Sequence, residues 1–203
     1  MNLLIDTMPT SLEIDGKEYE INTDFRTCVN IMLAFEDTEL TNIEKQTVML
    51  VNLYKEVPEN GYLAAEKAIW FLNGGKEDQQ ESNENSKTHR YYSFGKDASF
   101  IVAAFKQTHG IDLLDTQYMH WWKFMALFMD LGQETTFTNL VALRKRVKTG
   151  KATKEERSAA SDMGDVFDLP DFINLSIEEM EKERDFMNKV KLGRAKRKQQ
   201  EKK

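Results

Sequence analysis

From Tyr118 to Met129 the chain reads Tyr-Met-His-Trp-Trp-Lys-Phe-Met-Ala-Leu-Phe-Met, and no other stretch constrains its fold so strongly. Placed on a helix, the apolar side chains of this block sweep an arc of about 220°. Thr116, Lys123 and Asp130 confine the polar strip to the remainder. An ordinary surface helix buries a stripe nearer to about 100° wide. This helix must therefore be covered on two sides. It is either a central core helix, the usual fate of a wide apolar helix, or one whose arc meets another chain through Tyr118, Trp121, Trp122, Phe124, Met125, Phe128 and Met129.

The rest of the chain is punctuated for helices. Three prolines and ten glycines in 203 residues leave room for long ones. The exception is at the start. Leu12-Glu13-Ile14 and Lys17 to Ile21 alternate as two short strands about Asp15-Gly16, a dipeptide that tolerates the positive φ angles of a tight hairpin turn. From Asp24, an N-cap, a helix places Phe25, Cys28, Val29, Met32 and Phe35 on one side. Thr41-Asn42-Ile43-Glu44 is a capping box opening a helix with Leu50, Leu53, Tyr54 and Val57 at helical spacing. After the Pro58–Gly61 turn, a third helix carries Ala65, Ala68, Ile69 and Leu72 and stops at Gly74-Gly75.

Lys76 to Arg90 holds no aliphatic or aromatic residue. It cannot bury enough surface to offset the entropy of ordering, which predicts a flexible linker. Beyond it, a helix runs from Gly95-Lys96-Asp97 through Phe105 to Gly110. Asp115 is expected to cap the next, running to about Leu131. Thr135 or Thr136 starts another, with Phe137, Leu140, Val141 and Val147, ending near Gly150. Thr153 to Glu156 is a second capping box, and Ser176 to Glu179 opens a final helix. The expectation is a mainly α, multi-helix globular fold with a short N-terminal β-hairpin and an extended basic C-terminal helix. Its parts are a hairpin plus helical module (1–75), the polar linker (76–90), a helical module with the aromatic helix (91–170), and a C-terminal helix with basic tail (171–203).

Charge is uneven. The net value is −6, yet Lys189, Lys191, Arg194, Lys196, Arg197, Lys198, Lys202 and Lys203 against Glu201 make the last fifteen residues +7, leaving −13 for the body. Such a tail suits a solvated helix end, an acidic protein surface such as a neighbouring copy's body, or nucleic acid. No aromatic residue follows Phe186 to stack on bases, and the acidic body repels phosphates, which disfavours nucleic acid.

Catalytic and metal-binding patterns are missing. Gly150-Lys151-Ala152-Thr153 lacks the upstream glycine of a phosphate loop, and there is no His-Glu-x-x-His or Gly-x-Ser-x-Gly. His89, His109 and His120 stand in separate contexts, and the single Cys28 excludes an internal disulfide and reads as a small core residue. The expectation is a non-enzymatic protein with no cofactor and no metal. Residues 1–10 have no basic patch followed by an apolar run, and no apolar stretch approaches the roughly 20 residues of a membrane helix, so a cytoplasmic protein without membrane contact is expected.

The phrases Ile21 to Arg26, Phe105 to Leu113, His120-Trp121-Trp122-Lys123-Phe124 and Phe137 to Arg144 resemble the bacteriophage "gene product fifteen" family of siphoviruses and prophages of Gram-positive bacteria. The resemblance covers most of residues 12–170. It implies a tail assembly chaperone that coats the tape-measure protein, helps recruit tail-tube subunits, self-associates, and is absent from the finished virion. It carries over no catalytic residues. A structural minor tail or tail completion protein retained in the virion is the alternative reading. A nucleic-acid-binding regulator acting through Lys189–Lys203 is the third.

Overall fold

The computed structural model describes residues 3–76 and 90–169. Within them the fold is mainly α with an N-terminal hairpin, as the spacing predicts. Strands β1 (Ser11–Ile14) and β2 (Lys17–Glu20) pair antiparallel, with Leu12 opposite Tyr19 and Ile14 opposite Lys17. Asp15 and Gly16 both have positive φ, 52° and 77°, as a two-residue turn of this twist requires. Leu12 and Ile14 are buried on one face, while Glu13 and Glu18 share the exposed one. The hairpin is stabilised by packing against the third helix rather than alone.

Seven helices follow: α1 (Phe25–Glu36), α2 (Asn42–Leu53), α3 (Gly61–Leu72), α4 (Ala98–His109), α5 (Trp121–Met129), α6 (Thr136–Lys148) and α7 (Lys154–Met163). A single 3-10 turn, Gly164–Val166, closes the described chain. The caps explain most boundaries. Asp24 accepts from the Arg26 amide, both capping boxes form at Thr41 and Thr153, and Gly110 ends α4 in the left-handed region. Helix α2 centres its buried face on Lys45, Met49 and Leu53. It stops at Leu53 because the next residues turn extended, with Lys55 donating to the Glu20 carbonyl and Ile21 bridging Tyr54. Val57, expected on this helix, is therefore past its end and exposed.

One expectation is corrected. Asp115 caps no helix, and α5 begins six residues later. Residues 118–120 are drawn out as extended chain beside the start of α1: the Phe25 amide donates to Met119 O, the Trp121 amide to Thr23 O, and the Met119 amide to the Asp24 carboxylate. These bonds compete successfully with a helical turn there.

Helix α1 packs on α2 and α5, α2 on α3, α4 on α5 and α6, and α6 on α7. One hydrophobic cluster takes residues from both sides of the polar segment, among them Phe25, Ile31, Phe71, Phe94, Phe105 and Phe124. The proposed linker, apart from Lys76 and Arg90, and the C-terminal helix with its basic tail lie outside the described residues.

Candidate functional site

Helix α5 sits where the surrounding elements converge. Phe124 lies face to face between Phe25 of α1, at 5.0 Å, and Phe105 of α4, at 5.1 Å. Along α5 itself, Trp121 and Phe128 stack on the same ring. Phe94, from the segment before α4, leans on Trp121, Phe124 and Phe128. Each such aromatic side chain, once buried, contributes up to about 3 kcal/mol.

The two indoles are also polar. Trp121 Nε1–H donates to Leu72 O at 2.9 Å, and Trp122 Nε1–H to Phe71 O at 2.7 Å. Both acceptors belong to the last turn of α3, whose carbonyls have no amide four residues on within the helix; Phe71 O also accepts the Gly74 amide at 3.0 Å. The adjacent tryptophans thus cap a helix from which they are about fifty residues distant. Trp122 lies edge-on to Trp70 and rests against Gly75, where an added Cβ would meet its ring at 2.7 Å. At the other end of the block, His120 Nδ1 accepts from the Trp122 amide and so caps α5, and Nε2 lies 3.1 Å from Pro9 O. Only the neutral tautomer protonated on Nε2 satisfies both bonds. Burial lowers the His120 pKa from its ordinary value, against the opposing pull of Pro9 O.

A second constellation, absent from the sequence reading, is charged. Asp97 and Arg144 form a buried bidentate pair, at 2.6 and 3.0 Å. Arg144 also donates to the carbonyls of Tyr91, Val166 and Phe167. Beside them, buried Glu36 at the end of α1 accepts from Ser93 Oγ and from the amides of Phe94 and Gly95, and pairs with Arg90. Lys45 is buried with Nζ 3.2 Å from Phe35 O, and desolvation lowers its pKa although Asp37 pulls the other way. The detectable signal was positional. Arg144 continues the buried series Phe137, Leu140 on α6, and Lys45 begins the series Met49, Leu53 on α2.

Of the seven predicted contact residues, Trp121, Trp122, Phe124 and Phe128 lie within the chain's own core, and Met125 is half-buried. Tyr118 is 57% exposed with its hydroxyl 2.8 Å from Thr23 Oγ1, and Met129 is 77% exposed. They stand before and at the end of α5 respectively. Leu114, nearby in sequence, is 78% exposed. Lys189, Lys191, Arg194, Lys196, Arg197 and Lys198 lie outside the described residues. Among the described residues, no group of His, Cys, Asp and Glu could hold a metal ion, and no helix is long and apolar enough to cross a membrane.

The family model described as Bacteriophage Gp15 protein matches residues 4–169, which include every helix and strand described above. No curated protein and no solved structure matches the chain. With most of its length matched, including the hairpin, the aromatic helix and the Asp97–Arg144 pair, the chain belongs to the Bacteriophage Gp15 protein family.

Proposed function

We propose that this chain is a non-enzymatic tail assembly chaperone that binds the tape-measure protein, and with it tail-tube subunits, during phage tail morphogenesis. The single observation that carries this reading is family membership over residues 4–169. The surface is compatible with it. Leu3, Leu4, Ile5, Leu114, Tyr118 and Met129 present apolar side chains to solvent, each available to contact a client helix. The buried indoles act as scaffold in this reading, and contact with the client falls to Tyr118, Met125 and Met129. The protein works in the cytoplasm of the bacterial host as a self-associating species and leaves before the virion is complete.

The test is co-expression with the tape-measure protein, scoring solubility and co-purification. The expected result is a soluble complex that is weakened by Tyr118→Ala with Met129→Ala at unchanged melting temperature. Insoluble tape-measure protein with no co-purification would overturn the reading. Presence of the chain in purified particles would instead favour a retained minor tail or completion protein. Salt-sensitive binding to random DNA, lost on deleting Lys189–Lys203, would favour the nucleic-acid regulator.

A further inference from the structure

Arg144 has five N–H donors, and all five are used. Two bonds to Asp97 hold it to the start of α4, and a third reaches Tyr91 O. The other two go to Val166 O at 2.6 Å and Phe167 O at 2.8 Å, in the turn after α7. The side chain is 1% exposed. Asp97 in turn accepts the Ser93 amide at 2.9 Å, so its carboxylate is shared between the 91–97 segment and Arg144. Lys96 adds a second cation on the same turn, donating to the carbonyls of Asp165 and Asp168.

We propose that the Asp97–Arg144 pair is a conformational coupling device, through which the 164–168 turn and the 91–97 segment order and release together. Releasing the turn removes two acceptors from a desolvated guanidinium. The cation then draws in water, and its grip on Asp97 weakens, because a buried charge cannot stay partly unsatisfied. Loosening Asp97 frees the Ser93 amide, whose acceptor is the Asp97 carboxylate. The 164–168 turn and the 91–97 segment thus meet at one guanidinium of α6.

Gly164 allows the device to be opened from one side. Its φ of 51° with ψ of −129° is a backbone conformation that side-chain-bearing residues avoid, yet nothing lies within 4 Å of an added Cβ. Gly164→Ala therefore strains the turn without disturbing the core. In the full-length protein, amide exchange followed by NMR is expected to accelerate about ten-fold at Phe167 and Asp168, and by a similar factor at Ser93 and Asp97. Coupling is reciprocal, so Asp97→Asn is expected to speed exchange at Phe167 and Asp168 as well. Faster exchange confined to 164–168 in Gly164→Ala, with Ser93 and Asp97 unchanged, overturns the proposal. So does an Asp97→Asn protein, still folded by its melting transition, in which the turn exchanges at the parent rate.

Discussion

The indole N–H of Trp122 donates to the carbonyl oxygen of Phe71 at 2.7 Å, and so ties the N-terminal end of α5 to the C-terminal end of α3. Its neighbour Trp121 does the same for Leu72. An aromatic pair read as either core or interface is therefore also a helix cap. Trp122→Phe keeps most of the apolar surface but leaves the Phe71 carbonyl with the Gly74 amide as its donor, at a cost of about 1 kcal/mol. Trp122→Ala adds the lost burial and a cavity, for about 3–5 kcal/mol. Equilibrium unfolding in urea measures both. A Trp122→Phe variant as stable as the parent would show that the indole N–H contributes nothing.

Gly74 and Gly75 read alike in the sequence, as a helix stop, but the structure separates them. Both have positive φ, 73° and 76°. Around Gly74 there is open space, whereas a Cβ on Gly75 would press into Trp122. Gly74→Ala is expected to cost about 1 kcal/mol from backbone strain alone. Gly75→Ala should cost at least about 2 kcal/mol more, because the Trp122 ring is held by its bond to Phe71 and has little freedom to retreat. Denaturation midpoints that fall equally for the two variants would rule this out.

Periodicity and caps made the helices legible, because each is a local property. Thr41, Thr135 and Thr153 cap their helices by accepting, at the side-chain hydroxyl, the amides of Glu44, Thr138 and Glu156 three residues on. What stayed hidden is non-local. The start of α5 depends on extended pairing of residues 118–120 with Thr23, Asp24 and Phe25, nearly a hundred residues upstream. No local signal at Asp115 reports that competition. The division of the aromatic block was likewise out of reach, since Trp121 and Met129 are equally apolar and only the packing of α1, α3 and α4 decides which is covered. The charged node had a faint trace, a charge in series with buried apolar positions, which reads as an error in the pattern unless a partner is known.

Cys28 has no exposed surface, and burial, with Asp24 adding to it, pushes its thiol well above the ordinary cysteine value. The thiolate, the reactive form, is then scarce and shielded. In native buffer at pH 8 the thiol is expected to resist a water-soluble disulfide reagent for hours, and to react with one equivalent within minutes after denaturation. Rapid stoichiometric labelling of the native protein would place Cys28 at the surface and contradict the packing of α1.

The Asp97–Arg144 pair is expected to show strong energetic coupling. Arg144→Met leaves the Asp97 carboxylate buried with the Ser93 amide as its remaining partner, at a cost of about 3–5 kcal/mol. Asp97→Ala strands the guanidinium at similar cost. The double variant removes both charges and should lose less than the two single losses added together. It should not regain parent stability, because the Tyr91, Val166 and Phe167 carbonyls lose their donor. Additive losses in the four-member cycle would mean that the pair is no pair in energetic terms.

His120 should make stability depend on pH. Its Nδ1 accepts the Trp122 amide only when unprotonated, and Nε2–H faces Pro9 O. The rings of Phe71 and Trp122 flank it, and the charged group of the paired segment is Asp24, which is engaged by Arg26 and the Met119 amide. Burial lowers its folded pKa below the ordinary histidine value of about 6.5. The unfolded chain therefore binds the proton first as pH falls. The stability contributed by neutral His120 is full above about pH 6.5 and is lost progressively below it, through the lowered folded value. His120→Asn can still cap α5 but cannot titrate, so it should flatten that part of the profile while costing about 1–2 kcal/mol at pH 8 through lost packing and the Pro9 bond. Unfolding free energies measured from pH 8 to pH 5 decide the matter. Parallel profiles for the parent and His120→Asn would assign the pH dependence to other groups.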